Sequence, residues 1–284
     1  MWREIYSDKT ALIALILFVL LVGTVYIAAV FVDDNIMMNV NSETLARRRL
    51  PWFTSWEFVL GTDGAGRNML HLLIVSARNS LNIAFVVAVS GVIIGTFIGM
   101  ISGYFGGHID NALMRFLDFY AMIPILMIVV MLLRIWAPIT VTTFSVILIL
   151  LMSWSGTARL MRTMALKQGV MDYVSASKTM GTPNIVIIFR EVLPNMISII
   201  TSNFTITLAS FVGIETGLSF LGLGLPFDVP NLGILVANAR VPYDMINRMW
   251  IWLPAALLIV VMMLCINFVG QALNRAADAK KRMV

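Results

Sequence analysis

Ala11 to Val32 is a run of 22 residues without one charge, and a chain that carries several such runs has few ways to fold. A helix crosses the hydrocarbon core of a bilayer with about 20 mainly apolar residues. Five further segments meet that requirement, from about Ser80 to Gly103, Leu113 to Leu133, Ile135 or Ile139 to Ala158, Asn195 to Glu215, and Met249 to Gly270. Composition agrees, with 60% hydrophobic and 12% charged residues, where a soluble domain carries roughly 25% charged. The chain is therefore predicted to be an all-α integral membrane protein with six transmembrane helices. The first run is too long for a signal peptide, and Arg3 and Lys9 are offset by Glu4 and Asp8, so it reads as an anchor that stays. The net charge of +5 does not point to nucleic acid, because the basic residues are scattered between apolar runs. In such a chain Lys and Arg set orientation.

Six crossings put both termini on one side. Lys and Arg divide 12 to 8 in favour of that side, which includes Arg159, Arg162 and Lys167 and the tail residues Arg275, Lys280, Lys281 and Arg282. Both termini are therefore expected in the cytoplasm. Outside would lie a segment from Asp33 to Asn79 and a loop from Leu223 to Arg248. The largest inner loop, Arg159 to about Pro194, has the size of a docking site for a cytoplasmic partner.

That inner loop reads as two short helices. Asp172 is placed to cap the first through its carboxylate, Tyr173 to Met180 has no breaker, and Gly181 offers a left-handed stop. Thr182 then caps a second helix with Pro183 at its first position, running through Ile185 to Phe189 and ending near Leu193-Pro194. Tyr173, Ala176 and Met180 share one face of the first helix, with small Ser177 beside them. From spacing alone, an amphipathic helix lying on the membrane and a helix seated in a groove are equally served.

Ser175-Ala176-Ser177, with Gly181 four residues on and Leu193-Pro194 beyond, resembles the EAA loop of ABC importer permeases. The pattern there is Glu-Ala-Ala, three residues, Gly, nine residues, a hydrophobic residue, any residue, Leu-Pro. This chain departs from it at Ser175, Ser177 and Glu191. Four more stretches are similar to the permeases for dipeptides, oligopeptides and nickel, in order along residues 60 to 270. They are Leu60-Gly61-Thr62-Asp63 with Gly66-Arg67 and Ala77-Arg78-Asn79-Ser80-Leu81, and Gly103-Tyr104-Phe105-Gly106-Gly107 with Asp110, Met114-Arg115, Asp118 and Pro124. The others are Trp154-Ser155 with Ala158-Arg159 and Arg162, and Leu218-Ser219-Phe220-Leu221-Gly222-Leu223-Gly224 after Glu215. The last run resembles the C-type half of such permease pairs. Asn68, Leu232 and the tail from Gln271 depart from the pattern.

The resemblance implies a type I ABC importer permease fold with a cytoplasmic coupling helix. It divides the chain into an anchor helix and external segment over 1–76, a five-helix permease domain over 77–270 and a cytoplasmic tail over 271–284. It implies ATPase contact at Asp172, Tyr173, Ala176, Lys178 and Gly181, and external contact with a partner near Gly61 to Arg67. Implied partners are a homologous second permease, two ATP-binding subunits that hold ATP and Mg, and an extracytoplasmic substrate-binding protein, in a bacterial or archaeal plasma membrane. The cargo implied first is a short peptide, with nickel or a metallophore as the alternative. An ion-coupled secondary transporter is the rival from another class; such proteins carry repeats and intramembrane acids, and this sequence has few such acids and no visible repeat.

No catalytic set is legible. There is no Gly-x-x-x-x-Gly-Lys-Ser/Thr loop, so ATP must be hydrolysed by another chain. His71 and His108 fall on opposite sides, and Cys265 lies within an apolar run, so no metal site is expected. Asp118, three residues after Arg115, is expected to pair with it. Pro124 should kink the third span. Glu215 should close the fifth span near the outer surface, facing water or a neighbouring helix.

Overall fold

The structure, a computed structural model, describes residues 9–32, 41–136 and 139–282. The readings that involve Arg3, Glu4, Asp8 and Asp33 lie outside the described residues. The described chain is helical, in the order α1 Lys9–Ala29, α2 Ser42–Ala46, α3 Met69–Phe105, α4 Gly107–Met122, α5 Ile125–Ile135, α6 Val141–Leu148, α7 Ser155–Gly169, α8 Asp172–Thr179, α9 Asn184–Ile187, α10 Leu193–Phe220, α11 Leu232–Ala237, α12 Pro242–Asn247 and α13 Leu253–Arg282. Wide π turns at Ile149–Ser153 and Ile188–Val192 extend α6 and join α9 to α10.

Among the described residues, four helical runs are long and apolar enough to cross a bilayer: Leu12–Ala29, Met69–Phe105, Asn184–Phe220 and Leu253–Leu273. Two bent pairs, α4 with α5 at 72° and the α6 run with α7 at 43°, bring the number to six if each is one crossing. Pro124 therefore does more than kink the third span. It pushes Ile123 out of helical geometry, to φ −79° and ψ 129°, as proline does to the residue before it. The expected helix splits in two.

Several ends move from their expected places. The second span starts at Met69, eleven residues before Ser80, because Asn68 caps it by accepting from the Leu70 amide at 2.9 Å. Leu193-Pro194 does not stop the loop's second helix. The π turn shifts the Leu193 amide onto the Ile188 carbonyl, so the register has already slipped where Pro194 lacks its donor, and Asn195 caps the Glu191 carbonyl through Nδ2 at 2.7 Å. Residues 76–77 and 270–271 lie within the continuous helices α3 and α13.

The long α3 is the axis of the fold, about 55 Å at 1.5 Å per residue. It packs on α7 along a stripe of glycines at four-residue spacing, Gly91, Gly95, Gly99 and Gly103. A Cβ at these positions would fall 2.4 Å from Ser153 Cβ, 2.6 Å from Thr157 Cβ, 2.3 Å from the Ala158 oxygen and 2.4 Å from the Arg162 oxygen. Small residues in a row let two backbones approach where lipid supplies no hydrophobic drive between helices. Around α3 the main core gathers Ile83, Val87, Phe144, Leu148, Val212 and Met262, all buried.

The two ends of α3 carry different structures. Met69 adjoins a lobe of residues 41–68, where Trp250 ahead of α13 donates to the Thr62 carbonyl at 3.1 Å. Phe105 adjoins the α8 loop, to which Tyr104 donates a hydrogen bond at Asn184 Oδ1, 2.9 Å. Tyr26, late in α1, bonds Asn82 on the lobe half of α3, and Leu15 packs against Ala272 of α13. The outer ends of α1 and α13 therefore sit at the same end of the fold as α8. His71 and His108 stand at opposite ends of α3.

At the lobe end α10 runs on past Glu215 to Phe220, so Glu215 does not face water. It is fully buried, accepting from Ser219 Oγ at 3.2 Å and Thr216 Oγ1 at 3.4 Å. Ser80 of α3 stands against it and accepts the Leu232 amide of α11 at 3.1 Å. The carboxyl thus joins α3, α10 and the start of α11. Gly222 closes α10 at φ +72°, with Gly222 and Leu223 amides turned back onto Ser219 and Leu218 carbonyls at 3.0 and 2.9 Å. Arg134 and Arg240 donate to the Gly222 and Phe220 carbonyls, 2.9 Å each, the cations suiting a helix C-terminus.

Candidate functional site

The loop helix α8 starts one residue before the expected cap. Met171, extended at φ −73° and ψ 151°, is the N-cap, and Asp172 is the first helical residue with no side-chain cap bond. Its carboxylate still lies in the first turn, where the helix dipole favours a negative charge. The stop is as expected. Gly181 has φ +79°, its amide reaches the Lys178 carbonyl at 3.0 Å, and the Thr182 amide reaches the Ser177 carbonyl at 3.1 Å. These paired bonds, six-to-one and five-to-two, define a Schellman closure, which requires a left-handed residue. Helix α9 then begins at Asn184, with Pro183 outside it as N-cap and not at its first position.

Seen from the fold, α8 has two faces. Val174 and Ser177 are buried, while Asp172, Tyr173, Ala176, Lys178 and Met180 are exposed. Ser177 was grouped with the outward face by spacing, and the structure turns it inward. The outward face continues into Val170 and Ile185. Val170, Met180 and Ile185, before, at the end of and after α8, are 78%, 77% and 58% exposed, apolar side chains flanking a helix that is itself polar and too short to span a bilayer.

Beneath α8 lies a second core, separate from that of the spans. Val174 meets Met100 of α3, Met161 and Ala165 of α7, Ile187 and Ile188, and Val192 and Met196 at the foot of α10. Polar contacts tie the same parts together. Lys178 Nζ stands 4.9 Å from the centre of the Tyr104 ring, and Tyr173 donates to Gln168 Oε1 at 2.6 Å. Ser177 Oγ donates to Glu191 Oε1 in the π turn.

A clasp between α4 and α7 steadies this base. Arg162 grips Asp110 with two bonds of 2.5 Å, through Nε and Nη2, and Ser102 Oγ donates to the same carboxylate at 2.6 Å. Such a fork-to-fork pair is both strong and directional. One turn earlier, Arg159 donates to the Leu117 carbonyl at 2.7 Å and pairs with Asp118 at 3.0 Å. Asp118 is thus claimed by Arg159 from across the interface, not by Arg115 on its own helix.

At the other end of α3, the segment Gly61 to Arg67 is mostly interior. Thr62 and Asp63 are buried, Arg67 donates to Asp63 through Nε at 2.8 Å, and a Cβ on Gly66 would overlap the Thr44 carbonyl at 1.7 Å. This segment is the framework of the lobe. What the lobe presents is Phe53 and Trp56, 79% and 97% exposed.

Residues 91–283 match the protein-family model described as "Binding-protein-dependent transport system inner membrane component". The chain is 39% identical to the oligopeptide transport system permease protein OppC of Lactococcus lactis subsp. cremoris, over 98% of this chain and 93% of that one. It is 30% identical to the dipeptide transport system permease protein DppC of Bacillus subtilis, over 99% and 85%. Among solved structures, a chain of the MetNI methionine ABC transporter in an inward-facing conformation aligns with TM-score 0.57 and 19% identity, over 74% of this chain and 97% of that chain. That likeness establishes the type I permease fold.

Proposed function

The chain belongs to the family of binding-protein-dependent transport system inner membrane components, and on that premise we propose that it is the permease subunit of an ATP-driven peptide importer. It pairs with a second, homologous permease to enclose a passage, with both termini and α8 in the cytoplasm and the lobe of residues 41–68 outside. Two ATP-binding subunits hold ATP and Mg²⁺ below, and a soluble binding protein delivers cargo above. The outward face of α8, through Asp172, Tyr173, Ala176, Lys178 and Gly181, seats in a cleft of an ATP-binding subunit.

The observation that carries this reading is the exposed apolar trio of Val170, Met180 and Ile185 flanking α8, set on a core that continues into the foot of α10. A push on α8 reaches a spanning helix through that shared core, and α9 runs on through the π turn directly into α10. Closure of the ATP-binding subunits on ATP would then tilt the spanning helices and alternate access to the passage. Peptide as cargo is supported by relatives named as oligopeptide and dipeptide permeases. The test is competition uptake in cells carrying the whole complex, with labelled peptides of varied sequence against labelled nickel, free and chelated. Peptide uptake that depends on this chain and is indifferent to nickel is expected. Nickel uptake that peptides do not compete with, and no chain-dependent peptide uptake, would overturn the peptide reading.

A further inference from the structure

Resting on that reading of α8 as the ATPase contact, we propose that Ser177 and Glu191 are positioning residues. They form a tie that carries displacement of α8 into the foot of α10. Ser177 Oγ on the inward face of α8 donates to Glu191 Oε1, across 14 residues of sequence that include the Gly181 turn. The second carboxylate oxygen, Oε2, is out of solvent and without a hydrogen-bond partner. Glu191 itself is half-buried, between Ile188 and Val192 of the same turn, which are buried. An acidic group half-satisfied in such a place is costly, so it is held in position by the one donor it has, and that donor sits on α8.

Two features distinguish this tie from ordinary packing. A hydrogen bond is directional and weakens steeply when bent or stretched, whereas apolar contacts slide. Glu191 also lies in the π turn, where the helix is already out of regular register and the backbone has the most room to follow a pull. Moreover, Ser177 and Glu191 are two of the three positions at which the chain departs from the loop pattern of Ala and a hydrophobic residue. The two departures touch each other.

The experiment uses the complete importer in proteoliposomes and reads labelled peptide delivered per ATP hydrolysed, with thermal stability alongside. Ser177→Ala strands the carboxylate and Glu191→Leu strands the hydroxyl. Each should lower the delivery ratio by roughly tenfold or more, the change that loss of one charge-assisted bond brings. Glu191→Gln keeps an acceptor for Ser177 and should stay within about twofold of the parent. The double variant Ser177→Ala/Glu191→Leu should recover to within about twofold, since replacing both partners by apolar groups is nearly neutral. If Glu191→Leu does not insert, Ser177→Ala against Glu191→Gln decides. A ratio unchanged in Ser177→Ala, or losses that simply multiply in the double variant, would overturn the tie. Gly181→Leu separates the two levels of the argument. It disturbs α8 through its left-handed backbone and through added bulk at the ATPase contact, while within this chain no atom lies within 4 Å of the added Cβ. If it lowers the ratio while Ser177→Ala does not, the tie fails and the coupling role of α8 stands. If it too leaves the ratio unchanged, the reading of α8 fails.

Discussion

Gly99→Ala is the smallest change that tests how α3 and α7 are held together. The new Cβ would sit 2.3 Å from the Ala158 oxygen and 2.8 Å from the Arg162 nitrogen, both backbone atoms that cannot rotate away. Restoring ordinary contact requires the helices to part by roughly 1 Å, and a gap of that size forfeits a quarter to a half of each dispersion contact along the seam. Overpacking of this kind costs about 1–3 kcal/mol, occasionally more. Against it stands the better helix propensity of Ala, worth up to about 1 kcal/mol. The net loss is about 1 kcal/mol, which in a chain of this size lowers Tm by about 2–4 °C. Gly217→Ala in α10 is the matched control. No atom lies within 4 Å of its added Cβ, so only the propensity gain applies and Tm should hold or rise. Both variants are melted in the same detergent at one scan rate, since unfolding of such a protein is read kinetically. If Gly99→Ala melts with or above Gly217→Ala, the glycine stripe is not a close-packing seam and the reasoning is wrong.

Three other outcomes are expected. Arg162→Ala leaves Asp110 buried at 7% exposure without its fork and should destabilise by about 3–5 kcal/mol; Asp110→Asn, which keeps Ser102 as a partner, should cost less, and equal losses by thermal melting would refute the clasp. Glu215→Gln retains acceptors for Ser219 and Thr216 and should be tolerated, whereas Glu215→Leu strands the buried Ser219 hydroxyl and should cost about 1–3 kcal/mol, read as loss of folded protein in detergent. With Cys265→Ser as background, an impermeant thiol reagent on intact cells should label Glu57→Cys and spare Lys178→Cys; the opposite pattern would invert the topology.

What the sequence disclosed, and what it hid, divides by range. Apolar length alone marks the crossings, since about 20 residues suffice for the bilayer whatever the neighbours are. Gly181 was legible as a stop because a left-handed turn is a property of one residue and its immediate carbonyls. Local rules failed where a partner came from afar. Asp118 has Arg115 within one turn, yet Arg159 takes it from 41 positions away in sequence, because α4 lies across α7. Pro194 reads as a terminator only if the preceding turn is regular, and the π turn at Ile188–Val192 removes that premise. The glycine stripe from Gly91 to Gly103 was on view at four-residue spacing within an apolar run, and attention to that period would have found the α3–α7 seam. The Ser177–Glu191 contact was also announced, as two departures from one pattern, but nothing in spacing said that they meet.

The central claim is that the outward face of α8 is where ATP hydrolysis is felt, and cross-linking tests it most directly. In the Cys265→Ser background, Ala176→Cys is placed at the middle of that face, and the assembled importer is treated with a short bifunctional thiol reagent with and without ATP. With the reagent's second arm reacting with a cysteine introduced in turn along the cleft of the ATP-binding subunit, a covalent adduct is expected for at least one position, with a yield that changes on adding ATP, while Gly217→Cys near the far end of α10 gives none. An assembled, transport-competent complex in which Ala176→Cys forms no such adduct would contradict the account.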